Sequence, residues 1–155
     1  MEPIFASYSF ADVHGLIAGP FCSILLGNDS GSSEEGISVE SLDERTKMTI
    51  GADGSGMHSL IQNRAARIIA RFLKTSPQNA ALQLALNAQS SSSLFWGQNV
   101  INVSNPVTGD ALVAVGCAFG KQPGNLWAKD ANIIEWEFYA IRATQTMGGM
   151  IISLG

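Results

Sequence analysis

A chain of 155 residues has the length of one domain, and at that size a fold can bury roughly 70% of the surface its unfolded chain exposes. Charged residues make up 14% of it against a usual share of about 25%, so the exterior leans on Ser, Asn, Gln, Thr and backbone, a composition suited to contacts between copies. A formal net charge of −4 and a pI near 5.0 argue against a general nucleic-acid-binding surface, which is normally strongly basic.

The opening Met1-Glu2-Pro3 is not basic, and the apolar stretch 16–27 is short and broken by Pro20, so neither a signal peptide nor a membrane span is expected. Strands are expected at about 6–17 and 21–27, with Gly19-Pro20 between them and a Gly/Ser/Asn/Asp loop at 28–33. Two more are expected at about 36–42 and 45–51. The segment 58–74 reads both ways. Ile61, Ile68, Phe72 and an Ala-rich interior slightly favour a helix with Arg64, Arg67, Arg71 and Lys74 on one face. As a strand it would set Ala66, Ile68, Ala70 and Phe72 against Arg67 and Arg71.

The helix at 77–89 is well specified: Thr75 or Ser76 can cap it, Pro77 sits where a missing N–H costs nothing, and Ala81, Leu82, Ala85 and Leu86 form an apolar stripe. A loop at 90–93 leads to Leu94-Phe95-Trp96-Gly97, and a strand at about 98–104 follows. After the turn chemistry of Asn105-Pro106 and Gly109-Asp110, residues 110–120 read as a central strand covered on both sides. Ala111, Val113, Val115, Cys117 and Phe119 would share one of its faces. Near the end Ile134, Trp136 and Phe138 alternate with Glu135 and Glu137, giving one apolar and one acidic face. Hairpins suit this punctuation better than parallel crossovers.

No chemical motif emerges. Asp12 and His14 would share a face of the first strand, and Cys22 or His58 could be imagined beside them, yet an Asp–His pair on a strand is more often a surface or interface pair. Gly51-Ala52-Asp53-Gly54-Ser55-Gly56 lacks the Lys and Ser/Thr of a P-loop and the dinucleotide-binding spacing, so it reads as a Gly-rich turn or an assembly loop. The loop from Asn28 to Glu35 lacks the Gly and Glu of a calcium loop. The Asn28 and Asn102 glycosylation sequons carry little meaning without a secretory signal. Cys22 and Cys117 sit in apolar runs and read as reduced core residues. Trp96, Trp127 and Trp136 read as core or subunit-contact aromatics, because basic residues do not interleave with them. The acids Glu34, Glu35, Glu40, Asp43 and Glu44 read most simply as a solvated face.

Several stretches nevertheless resemble, in order and spacing, the tail tube proteins of contractile-tailed phages. They are Met48-Thr49-Ile50-Gly51-Ala52-Asp53-Gly54, Met57-His58-Ser59, Leu73-Lys74-Thr75-Ser76-Pro77 with Asn79, and Leu94-Phe95-Trp96-Gly97-Gln98-Asn99, followed by Ala128-Lys129-Asp130 ahead of Ile134-Glu135-Trp136. The resemblance runs over nearly the whole chain. It implies a mainly β fold, an antiparallel β-sandwich or small barrel with one flanking helix, assembled into hexameric rings that stack helically. It also implies that the stretch before Leu73 is a strand, although Ala65-Ala66-Arg67 is poor in β-branched residues.

The same resemblance implies a structural protein of the virion tail, made in the host cytoplasm, without catalytic activity or cofactor. Its expected partners are itself, the tail sheath, the tape-measure protein, the baseplate and the tail terminator, with DNA passing through the lumen unheld and no membrane bound. The excursion at 43–60 would reach the adjacent ring through Gly51, Ala52, Asp53, Gly54, Ser55, Gly56, Met57 and His58. Carboxylates repel phosphates, so some of Glu34, Glu35, Glu40, Asp43, Glu44, Glu135 and Glu137 are expected to face the channel. Arg67 and Arg71 would then lie outside or pair with acids between subunits. The competing readings are a tail-completion or baseplate-proximal ring protein of the same fold, and a small ligand-binding β-barrel or a hydrolase using Asp12, His14 or Cys22.

Overall fold

The computed structural model describes residues 7–27, 32–130 and 132–148. In chain order these form β1 (His14–Gly19), β2 (Cys22–Gly27), β3 (Ser32–Ser41), β4 (Thr46–Ile50), β5 (Gly56–Leu60), β6 (Ala66–Leu73), α1 (Pro77–Gln89), β7 (Asn99–Asn105), β8 (Asp110–Phe119) and β9 (Ile133–Thr146). Seven strands make one sheet in the order β2-β1-β7-β8-β9-β6-β3, every pair antiparallel, while β4 and β5 pair only with each other. The sheet curls into a half-barrel, so the mainly β fold with one helix stands as expected.

Alternation explains which face is buried. In β9, Ile134, Trp136, Phe138 and Ala140 point into the core, and in β6 Ala66, Ile68, Ala70 and Phe72 do the same. The register sets Ile68 opposite Phe138 and Ala70 opposite Trp136, so the two stripes meet side by side. Leu82 and Ala85 of α1 join the same cluster, together with Ile17, Ile24, Ile101 and Phe119. Segment 58–74 is therefore not a helix: β5 ends at Leu60 and β6 is a strand held between β9 and β3. Pairing on both edges outweighs a helical preference worth only tenths of a kcal/mol per residue, about 0.7 at most for ordinary residues.

Other expectations shift. The first strand begins at His14, not near residue 6, because the Ser9 side chain accepts the Ala11 N–H and caps a 3₁₀ turn over Phe10–Asp12. Strand β3 begins at Ser32 rather than 36, and the first part of the expected loop, residues 28–31, lies outside the described residues. Strand β8 is indeed central, yet only one face is covered: Leu112, Ala114, Cys117 and Phe119 are buried while Val113 and Val115 are 47% and 40% exposed. The inward phase changes at Gly116, where φ is +64° and the register against β7 slips. A Cβ there would lie 3.1 Å from Ile141, so glycine alone fits this bulge comfortably.

Helix α1 starts as its capping residues dictate, the Ser76 hydroxyl accepting the Gln78 N–H with Pro77 in the first turn. Asn79 ties that start to the sheet, accepting from Trp136 Nε1 at 3.0 Å and donating to Leu73 O at 2.9 Å. At its other end Gln89 and Asn99, both fully buried, exchange two side-chain hydrogen bonds of 2.8 Å, and Gln89 Nε2 also donates to Pro20 O at 2.7 Å. This lock joins α1, the β1–β2 turn and the start of β7. Gly19 leaves room for it, since a Cβ there would sit 2.0 Å from Asn99 Oδ1.

Both cysteines are free thiols; Cys117 is buried and Cys22 partly so. Burial pushes the Cys117 thiol from 9.0 up to about 11. A folded-state value above the unfolded one means that this stabilisation is complete below pH 9.0 and is lost as pH rises through about 11. At mildly alkaline pH, iodoacetamide is therefore expected to spare Cys117 in the folded protein and to modify it on addition of urea, as read by mass spectrometry. Modification at equal rates in both states would contradict its burial.

Candidate functional site

The most conspicuous feature is the β4–β5 hairpin. It leaves the β3–β6 end of the sheet through hydrogen bonds from Leu42 N to Ala65 O and from Ile61 N to Arg45 O, braced by Asn63 donating to Asp43 Oδ2 at 3.1 Å. Its tip is a tight Gly-rich turn: Gly51 N donates to Ser55 O at 2.7 Å, Ser55 N donates to Asp53 Oδ1 at 3.0 Å, and Gly54 has φ +90°. Those bonds to Ser55 hold the Asp53 carboxyl below its ordinary pKa. All residues of both strands are exposed. The register puts Thr46, Met48, Ile50, His58 and Leu60 on one face and Lys47, Thr49, Met57 and Ser59 on the other. Leu60 is 74% exposed and Met48 61%, so an apolar stripe stands in solvent on a two-stranded ribbon, a unit marginal by itself. Gly51, Ala52, Asp53, Gly54 and Ser55 form its tip, and Gly56, Met57 and His58 open its second strand.

The second feature is the outer face of the sheet at β9, β6 and β3. Arg67 bonds the Glu40 carboxylate and lies 3.6 Å from Glu137, Arg71 Nε donates to Glu135 at 3.2 Å, and Lys121 lies 3.9 Å from Glu137. The Glu40 carboxylate raises the Arg67 pKa, and hydrogen bonding to Glu137 raises that of Tyr139. The acids expected on an open acidic face are thus interleaved with cations of the same chain, and Arg67 and Arg71 find their partners within the subunit. Alternation along β9 did place Glu135 and Glu137 together; that Arg67 and Arg71 stand opposite depends on the β6–β9 register, which sequence alone does not supply. Asp43 and Glu44 lie at the exposed base of the hairpin. Glu34 and Glu35 lie in β3, their side chains outside the described residues.

The residues weighed for catalysis are scattered. Asp12 belongs to the 3₁₀ turn, not to the strand of His14. His14 pairs with Gly27 at one end of the β1–β2 hairpin and Cys22 with Gly19 at the other, about 16 Å away at strand rise. His58 lies in the β4–β5 hairpin, 3.4 Å from Thr46 Oγ1. Among the described residues no group of three His, Cys, Asp or Glu side chains is placed to hold a metal ion, and no helix is long and apolar enough to cross a membrane.

A family model described as the bacteriophage PhiTE tail tube protein matches residues 5–148. The chain belongs to this phage tail tube family. Solved structures share the tail tube fold at low identity. The anti-feeding prophage tube-terminating cap aligns with a TM-score of 0.55 and 12% identity over 95% of this chain and 97% of that one. A chain of the PVC sheath-tube complex, from an extracellular contractile injection system in its extended state, aligns at 0.54 and 16% over 86% and 88%. One from the PVC sheath/tube terminator aligns at 0.53 and 15% over 85% and 92%. No curated protein sequence matches the chain.

The tail tube motifs have visible structural causes. Leu73-Lys74-Thr75-Ser76-Pro77 with Asn79 is the strand-to-helix corner anchored on Trp136, and Leu94-Phe95-Trp96-Gly97-Gln98-Asn99 delivers Asn99 to its lock through Gly97 at φ +76°. What the sequence did not reveal is that Gln89 and Asn99 are buried and paired. An amide at a helix end and another at a strand start look like surface residues until the fold joins them.

Proposed function

We propose that this chain polymerises into the inner tube of a contractile phage tail, as hexameric rings stacked helically around a conduit for DNA, and that it has no catalytic role. The β4–β5 hairpin carries the proposal: an exposed ribbon with an apolar stripe, projecting from one end of the subunit, needs a surface to cover it. A head-to-tail contact onto the next ring supplies that surface and repeats without closing, which yields a filament. The open edges β2 and β3 of the sheet are the matching elements for lateral contact within a ring. Sheath and terminator are the partners that the fold neighbours suggest; tape-measure protein and baseplate follow from the tube reading, and the place of action is the virion tail.

In this reading some of Glu34, Glu35, Glu40, Asp43, Glu44, Glu135 and Glu137 face the bore. Because Glu40, Glu135 and Glu137 engage Arg67 and Arg71, they also keep those guanidiniums from phosphate. Changing all three to Gln is expected to make tubes retain DNA at low salt and release it as salt rises, whereas unaltered tubes retain none in a co-sedimentation assay. Equal retention by both would contradict this role.

The second reading, a tail-completion or terminator ring, draws on the same fold neighbours, two of which are a cap and a sheath/tube terminator. Sedimentation separates the two. A tube subunit forms material of unlimited size above a critical concentration, and a terminator stops at one ring of fixed mass.

A further inference from the structure

The end of β6 away from the β4–β5 hairpin carries a second exposed apolar surface. Strand β6 starts at Ala66, next to the hairpin base at Ala65, and finishes at Leu73, about 23 Å further on at strand rise. There the segment 121–130 is tied to the corner where β6 passes into α1. Lys74 Nζ donates to Leu126 O and stands 5.6 Å from the centre of the Trp127 ring, while Gln122 and Gln83 of α1 exchange two side-chain hydrogen bonds. The backbone adds a bond from Lys74 N to Asn132 O at 3.1 Å. What this anchoring presents is apolar: Trp127 is 84% exposed and Leu126 55%, and the exposed pair Leu73 and Ile133 stand opposite each other at the same strand end. A large aromatic held by a cation over its ring has already lost part of its freedom, which lowers the cost of using it as a binding anchor.

We infer that this surface receives the β4–β5 hairpin of a second copy of the chain. The inference rests on the tube reading, since a head-to-tail contact joins two different surfaces of one subunit and propagates when they lie at opposite ends. The two apolar surfaces do lie at opposite ends of β6. Their chemistry also matches. Met48 brings a thioether suited to an indole ring, and Ile50 and Leu60 continue the same exposed stripe. Around Trp127 the cations Lys74 and Lys129 outnumber the one acid, Asp130, whereas Asp53 at the hairpin tip is the only carboxylate between residues 46 and 60. Lys47, the cation of that hairpin, lies on the face away from the stripe.

The test mixes an Ile50→Cys variant with a Leu126→Cys variant and adds a short bismaleimide, each variant alone controlling for Cys22 and Cys117, while microscopy of the unaltered protein shows separately whether tubes form. A dimer found only in the mixture, and joined between the two introduced positions by mass spectrometry, is the expected result. Tubes without that cross-link overturn the inference and leave the tube reading standing, the surface then belonging to another partner. The cross-link without tubes upholds the contact and removes the tube reading, and the absence of both overturns both. Trp127→Ser gives a readout free of engineered cysteines: the critical concentration for assembly is expected to rise about thirty-fold, with the melting temperature of the unassembled subunit nearly unchanged because the ring is exposed. An unchanged critical concentration overturns the inference.

Discussion

Replacing Asn99 with alanine is expected to lower the unfolding temperature by about 6–12 °C. Asn99 Nδ2 donates to Gln89 Oε1 and its Oδ1 accepts from Gln89 Nε2, both at 2.8 Å and out of reach of water. Alanine leaves the Gln89 oxygen buried without a donor, which costs about 1–3 kcal/mol, and opens a small void that adds to it. Gln89 Nε2 keeps Pro20 O, so the loss is partial. A total near 3 kcal/mol, at about 2–4 °C per kcal/mol for a chain of this size, gives the stated range. The Gln89→Leu and Asn99→Leu double variant should lose less than the sum of the singles, since each single leaves the other's amide unpaired and the double does not, while Pro20 O loses its donor in the Gln89 single and the double alike. Strict additivity in that cycle, or a shift under about 1 °C for Asn99→Ala, would show that the amide pair does not hold α1 to the sheet.

Changing Met48, Ile50 and Leu60 together to serine is expected to raise the critical concentration for assembly about a thousand-fold while leaving the subunit's stability nearly unchanged. All three lie on one face of the hairpin and are 61%, 57% and 74% exposed, so the isolated subunit has little packing there to lose. In the proposed tube they would be buried against the next ring. Full burial is worth about 1.5–3 kcal/mol for each such side chain, so burying the roughly two-thirds still exposed across three gives about 3–6 kcal/mol, a range that includes the factor of a thousand at about 4 kcal/mol. Deleting residues 52–56 should shorten or destabilise tubes, since it removes the tip bonded through Gly51, Asp53 and Ser55. Unchanged tube length and stability in that deletion would remove the hairpin from the ring-stacking contact.

How much of this could be read beforehand depends on whether the decisive force was local. Helix α1 was legible to its ends because Ser76, Pro77 and the Leu82/Ala85 stripe act within a few residues of one another. The two faces of β9 were legible because Glu135 and Glu137 break an otherwise apolar run. Strand β6 was not, since Ala66, Ala70 and the arginines suit a helix equally well and only pairing with β3 and β9 decides. In β8 both alternating sets are apolar or small, so nothing in the pattern marks the change of phase at Gly116. The hairpin was visible as a Gly-rich excursion, although its separation from the main sheet was not. The acidic face was half legible: carboxylates show in the sequence, while the arginines that neutralise them arrive from another strand.

Electron microscopy of the purified protein at increasing concentration tests the tube assignment most directly. Hollow tubes that lengthen with concentration and show sixfold end views are the predicted result; single rings of fixed height, or monomers at every concentration, would contradict it.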